Sequence, residues 1–335
     1  MRLGGSMESQ LPMRHATLVR FSAGALFALS IPLGAWLAEA SGTSVAKAGL
    51  RGVTTVSTAT TRQAPARERV LYVSVFDDKT HAPITGLRTT DFVVREDGAS
   101  REVLRVGPAT TPMPVAVIVD NSQAATDTIP DLRKALAAFF RDIDGLGPIA
   151  LITVADRPTV VRDYTTDQKQ LQDAAKRVFA APQSGATLLD AIQETSKGLE
   201  RRESDRAAIV VVTTENVEHS TRHYRDLLDD LKKSGAMLHA LVLTSQGGSS
   251  LDDASRNRAA VLDLGPKTSG GVRFDVVTSM GFEGRMQELA KILKSQHQVV
   301  YARPDRLIPP EKIEVSAAKA GLAAVGAPAR GQAVK

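Results

Sequence analysis

The chain reads as an α/β protein: a doubly wound, mostly parallel sheet with a small antiparallel β module in its flanks. Val115-Ala116-Val117-Ile118-Val119 is an unbroken apolar, largely β-branched run, the pattern of a strand buried on both faces. Similar runs at Ile149–Val154, Ala207–Thr213 and Met237–Leu243 alternate with stretches of helical periodicity, which argues right-handed crossovers within one sheet. The apolar share, 43% of 335 residues, suffices for a large core.

From the N-terminus, Arg2, Arg14 and Arg20 precede a mostly apolar stretch, Phe21 to Leu37, followed by Ala38-Glu39-Ala40. A positive start, an apolar middle and a small-residue exit predict a secretory signal over residues 1–40 and an exported chain, periplasmic or secreted, from Ser41 onward. An uncleaved single-pass anchor is the alternative. No Cys follows the stretch, so a bacterial-type lipid anchor is excluded. Residues 41–69 are rich in Ser, Thr, Ala, Gly and Arg and read as a disordered linker.

Residues 70–110 read as the small β module. Val70–Phe76 is a strand of β formers, Asp77–His81 a turn, and Phe92–Glu96 alternates before the hairpin signal Asp97-Gly98. Glu102–Val106 is expected as the returning strand. Asp91, Glu96 and Asp97 are better explained by turn chemistry than as a metal cluster.

The main domain is expected over residues 111–296. Leu132, Leu136, Phe139 and Phe140 form a helical stripe, with Pro130 placed for the first turn. Further helices follow at Leu171–Phe179, at Leu188, Leu189, Ile192 and Leu199, at Leu227, Leu228 and Leu231, and at Met286, Leu289, Ala290 and Leu293. Thr159–Asp163 and Val272–Phe274 are shorter strands, the first near an edge. Asp252-Asp253 reads as loop polarity. Residues 317–335, rich in Ala, Gly, Lys and Arg without an aromatic, read as a disordered tail.

Several chemistries drop out. The absence of Cys removes disulfides, thiolate metal sites and thiol nucleophiles. The +5 net charge comes from 42 basic and 37 acidic residues spread along the chain, without the basic stripe of a nucleic-acid binder. Ser122, Ser184 and Ser279 lack the nucleophile-elbow setting of a serine hydrolase. Gly247-Gly248 and Gly270-Gly271 are not followed by the Lys-Ser/Thr of a phosphate loop. His219 and His223 have metal-ligand spacing, but the zinc-protease glutamate is absent between them, and surface histidines are the plainer reading. Asp120 and Ser122 end the first buried strand, where open α/β sheets bind ligands. Both are hard oxygen donors suited to magnesium. Alone, the pair reads equally as a strand end or a helix cap.

Taken in order, Gly86-Leu87, Asp91-Phe92, Glu96-Asp97-Gly98, Asp120-Asn121-Ser122, Ser184–Ile192, Thr268–Phe274, His297–Tyr301 and Lys312–Val315 make the chain resemble the von Willebrand factor type A domain, a Rossmann-like fold. Within that family it resembles the exported VWFA-related branch common in acidobacterial proteomes. The resemblance covers Val70 to Val315. It implies closing strands over residues 297–316, beside which the N-terminal strands are expected to dock. It also implies a metal-ion-dependent adhesion site with an open position for an acidic group on a partner.

Carried over residue by residue, the implied metal ligands are Asp120, Ser122 and Thr187. Ala124 stands where a second Ser belongs, and Thr214 where an Asp belongs, with Glu215 one residue too far. The site is therefore expected to be degenerate. Magnesium should bind weakly, with no other cofactor. The pair Ala124→Ser and Thr214→Asp should strengthen binding, since charge count tunes oxygen sites. The function expected is a non-catalytic, adhesion-type module with a protein partner, no nucleic acid, and no membrane contact beyond the N-terminal signal. The alternatives are a metal-dependent hydrolase of the cell envelope, built around Asp120 or His219 and His223, and a structural scaffold without a cation.

Overall fold

In the computed structural model the described residues are 66–215, 217–244, 252–304 and 308–330. The expected signal segment and most of the linker lie outside them. The chain opens with β1 (Ala66–Asp77), β2 (Phe92–Glu96), β3 (Ala99–Arg101) and β4 (Val103–Pro108). The alternating region then runs β5 (Val115–Asp120), α1 (Ile129–Asp142), β6 (Ile149–Val154), β7 (Pro158–Thr165), α2 (Gln168–Lys176), α3 (Leu188–Arg202), β8 (Ala207–Thr214), α4 (Tyr224–Ser234), β9 (Ala236–Leu243), α5 (Asp253–Ser269), β10 (Arg273–Val276) and α6 (Gly281–Lys294). It closes with β11 (His297–Pro304), β12 (Ile313–Ala317) and β13 (Leu322–Pro328).

The central sheet has the order β10-β9-β8-β5-β6-β7. Its pairings are parallel except at the edge, where β7 runs antiparallel to β6. Every residue of β5, β6 and β8 is buried, as continuous apolar runs demand. Val115, Val117 and Val119 face Phe139 and Phe140 of α1 and Leu289 and Leu293 of α6. Ile118, between them in sequence, faces the opposite layer with Leu189 of α3, Leu231 of α4 and Val261 of α5. The chain turns one way from β5 to β6 and the other way to β8. The carboxyl end of β5 is therefore the switch point at which α/β sheets of this kind place a crevice.

The flanking strands form two antiparallel sheets, β13-β1-β11-β4 and β12-β2-β3. Leu71, Val73, Phe92, Val94, Val299 and Tyr301 fill the space between them.

Six expectations change. The second helix ends at Lys176, so Phe179, expected on its apolar stripe, lies beyond it and is exposed. Glu96, expected to serve a turn, is buried at the end of β2 and accepts from Arg101 Nε at 2.9 Å and the Tyr301 hydroxyl at 2.8 Å. The linker ends earlier than expected, because residues 66–69 already belong to β1, with Arg67 to Arg69 paired against Tyr301 to Arg303. The partner of β2 in its hairpin is β3, whereas β4 crosses to pair with β11. The expected tail contains β13, which pairs with β1 from Leu71↔Pro328 to Asp77↔Leu322. Its small residues allow close approach: a Cβ on Gly326 would lie 2.8 Å from the Tyr72 carbonyl oxygen. Finally, Asp252 caps α5, accepting a bond from the Ser255 amide at 2.7 Å. That helix escapes sequence reading because the residues it buries are few and mixed, Arg258, Val261, Leu262, Gly265 and Pro266.

Arg206, just before β8, joins the two halves. Its guanidinium is buried and donates to Gln296 Oε1 at 2.8 Å, to the carbonyls of Ala109 and Thr111 at 3.0 and 3.1 Å, and to the Leu293 carbonyl at 2.9 Å. It also lies 5.7 Å from the Tyr72 ring centroid. Arg206→Met should lower the unfolding free energy by about 3 kcal/mol or more, because buried carbonyls lose their donors; urea unfolding of the full chain measures it.

His239 of β9 is buried, and its Nδ1 accepts from the Val272 amide at 3.2 Å. Burial pushes its pKa down from 6.5 to about 3. Below 6.5 the unfolded chain takes up a proton that the folded chain refuses, so stability falls as pH drops from 6.5 toward about 3. His239→Gln should flatten that part of the stability–pH curve, measured by denaturant midpoints across the range.

Candidate functional site

Asp120 ends β5 with 1% of its surface exposed. Its Oδ1 accepts from the Ser122 amide at 2.9 Å, turning the chain into the 3₁₀ segment Gln123–Thr128 that leads to α1. The register Val119↔Val212 brings the next residues of both strands level. Thr213 and Thr214 accordingly donate their hydroxyls to Asp120 Oδ2 at 3.0 and 3.2 Å. The position where the family site calls for a carboxylate thus supplies a neutral donor to Asp120.

The surrounding loops are tied together. Asn121 Nδ2 donates to the Phe179 carbonyl at 2.8 Å, the Ala186 amide to Val217 at 3.3 Å, and the His219 amide to Ala186 at 2.7 Å. A Cβ on Gly185 would lie 2.0 Å from the His219 ring, so a larger residue there would displace that exposed side chain. Thr187 stands at the N-cap position of α3 without a side-chain cap bond, and its hydroxyl donates to the Ala155 carbonyl at 3.0 Å. Asp120 and Ser122 therefore share one turn, while Thr187 belongs to the adjoining loop with its hydroxyl turned to backbone. Ala124 is exposed.

Sequence reading missed two residues that define the site. Arg258 of α5 is 5% exposed. Its Nη2 donates to Thr213 Oγ1 at 2.6 Å and also to the Thr214 carbonyl. Its Nε lies 3.6 Å from Glu218 Oε2. Burial lowers the Arg258 pKa, and the charges of Asp120, Glu218 and Glu215 act against that; arginine stays cationic at neutral pH. Glu218 is buried, and its Oε1 accepts from the Ser220 and Leu189 amides at 3.2 and 3.5 Å. Arg258 had no signal because α5 itself was not legible, and Glu218 sits in a loop whose burial only the fold creates.

These residues do not fit the divalent cation the fold family implies. Asp120 Oδ2 is engaged by two hydroxyls, and a buried guanidinium bonds to the same two threonines. Among the described residues no group of three His, Asp or Glu is arranged to hold a metal. His223 is the N-cap of α4, and His219 lies before the helix against Gly185. The two do not share a helical face, and both are exposed.

Burial raises the Glu218 pKa above its ordinary 4.5, with Ser220 and Arg258 opposing the rise. Above 4.5 the folded chain holds a proton that the unfolded chain has released, so this group's contribution to stability is lost as pH rises through the folded pKa. Glu218→Gln keeps the shape and removes the titration. The variant should gain on the wild type as pH rises from 4.5 to neutrality, measured by denaturant unfolding at each pH.

Residues 115–216 match the family described as von Willebrand factor type A domain. No curated protein matches the chain. Among solved structures, a von Willebrand factor type A protein from Catenulispora acidiphila aligns at 12% identity and TM-score 0.42, over 81% of this chain and 73% of its own. BatB from Bacteroides thetaiotaomicron aligns at 14% identity and TM-score 0.42, over 55% of this chain and 100% of its own. The human COPII-coat protein Sec24c aligns at 10% identity and TM-score 0.42, over 67% of this chain, which spans only 44% of that protein. Such likeness does not extend to function. With its β10-β9-β8-β5-β6-β7 sheet, its Asp120-Asn121-Ser122 turn and the match over residues 115–216, the chain carries a von Willebrand factor type A domain.

Proposed function

We propose that the chain is an exported, adhesion-type interaction module that contacts a protein partner through the carboxyl edge of its central sheet and performs no catalysis. Von Willebrand factor type A domains mediate protein–protein contacts, and the match over residues 115–216 supports that class of role. The observation that carries the reading is a set of exposed apolar side chains in segments at the carboxyl end of the central sheet. Phe179, Val217, Val277 and Met280 are 62%, 52%, 82% and 76% exposed. Large apolar groups gathered at one end of a domain mark an interaction surface more often than scattered ones do.

The framework beneath them is fixed. The Arg133 guanidinium lies 4.3 Å from the Phe179 ring centroid, and the Ser279 hydroxyl donates to Asp131 at the start of α1. Export is supported by the arginines and apolar stretch before Ser41, with a periplasmic or secreted location. Among the described residues no helix is long and apolar enough to cross a membrane.

The test is a capture experiment with the full chain as bait in envelope extract, with magnesium and then with chelator. One protein should be retained by the wild type under both conditions and lost from the variant Phe179→Ser/Val277→Ser, whose thermal unfolding should match the wild type. A captured protein indifferent to both substitutions, or no specific capture at all, overturns the reading and favours a structural scaffold.

A further inference from the structure

We infer that the guanidinium of Arg258 replaces the divalent cation as the positive charge facing Asp120, so that helix α5 closes the site to metal. The inference rests on reading this crevice as the contact end of the module, but its test measures metal and not partner.

The family site depends on a doubly charged ion held between a carboxylate and hydroxyls from neighbouring loops. Here the carboxylate is present as Asp120, but the hydroxyls beside it are turned inward. Thr213 and Thr214 donate to Asp120 Oδ2 at 3.0 and 3.2 Å. Thr213 in turn accepts from Arg258 Nη2 at 2.6 Å, and the Thr214 carbonyl accepts from the same nitrogen. The positive charge thus stands one hydroxyl away from Asp120, and Arg258 is 5% exposed.

A second carboxylate completes the arrangement. Glu218 Oε2 lies 3.6 Å from Arg258 Nε, with Ser220 and Leu189 amides on its other oxygen. Asp120 and Glu218 flank one guanidinium, much as two acidic ligands would flank a cation. A buried positive charge persists only with such partners. A divalent ion entering beside Asp120 would meet Arg258 as a like charge at close range in a poorly solvated place, where repulsion is least screened.

The departure at Thr214 fits this arrangement. Thr214 in the carboxylate position offers its carbonyl to Arg258 and its hydroxyl to Asp120. The substitutions Ala124→Ser and Thr214→Asp are therefore not enough to make a metal site, because the competing charge remains. Arginine suits the task better than lysine, since its planar group sets Nη2 on Thr213 and Thr214 while Nε faces Glu218 at 3.6 Å.

The test uses manganese alone as probe, with calorimetry and electron paramagnetic resonance on the full chain. The wild type and Ala124→Ser/Thr214→Asp should show no saturable binding in the millimolar range. Adding Arg258→Met to the double variant should tighten manganese binding by about tenfold or more. Binding by the wild type, equal binding by the double and triple variants, or none by a folded triple variant would each overturn the inference.

Should the triple variant fail to fold, the wild type still decides. Its unfolding temperature should be unmoved by manganese or by chelator. A rise with manganese that chelator reverses would show a working metal site beneath Arg258. Neither result depends on partner capture, so this inference and the proposed interaction role fail separately.

Discussion

The buried guanidinium of Arg206 holds this molecule together where its two halves meet, beside further contacts such as Ala327 in the central core and the Arg330 amide on the Asp205 carbonyl. It stands at the entrance to β8 and reaches the segment between β4 and β5, the last turn of α6 and the residue before β11. The carbonyls at the end of a helix have no partners within it, and a connecting segment brings further backbone groups that must be satisfied. One planar group with five donors meets several of these needs at once. The Tyr72 ring near it, whose hydroxyl bonds Thr111 Oγ1 at 3.0 Å, extends the joint into β1. The central sheet and the antiparallel sheets are thereby locked in one relative position, and the paired β1 and β11 carry that constraint outward.

β8 is bounded by a buried arginine at each end. Arg206 precedes it and organises the amino edge of the sheet. Arg258 arrives from α5 at its carboxyl edge and bonds to Thr213 and Thr214. The two differ in consequence. Arg206 is surrounded by carbonyl and amide oxygens, so its role is architectural. Arg258 lies among the carboxylates Asp120 and Glu218, so it sets the electrostatics of the crevice. Burying a charge is costly unless it is paired and hydrogen-bonded; Arg206 offsets that cost with four hydrogen bonds to neutral oxygens and Arg258 with hydrogen bonds and a facing Glu218, each drawing on parts of the chain far apart in sequence.

The crevice itself follows from the sheet. Because β5 is buried on both faces, its alternate residues serve two separate helical layers, and its last residue is delivered to the point where the chain's winding reverses. The exposed apolar residues at that end of the sheet sit on tethered segments. Phe179 sits under Arg133, and the loop before α6 is tied to α1 through Ser279 and Asp131. Exposed apolar side chains on a constrained frame lose little freedom on binding, which favours recognition.

The sequence by itself determined the class of fold and the position of the crevice. Continuous apolar runs such as Val115–Val119 can satisfy both faces only inside a covered sheet, and the helical stripe at Leu132, Leu136 and Phe139 can be covered only by packing against one. Through Ala124 and Thr214 it also led to the expectation that the ligand set implied by the resemblance is incomplete. What it could not reveal depends on distant partners. β13 is a run of small residues that becomes a strand only because β1 offers it an edge and close contact suits its glycine and alanines. α5 buries an arginine where a helix would ordinarily show an apolar residue, so its periodicity is broken. Glu218 lies in a loop and becomes a buried acid only once α3 and α5 close over it. Tertiary structure alone decided that Arg258 meets Asp120 and Glu218, because no local pattern encodes a charge whose partners lie on three different elements.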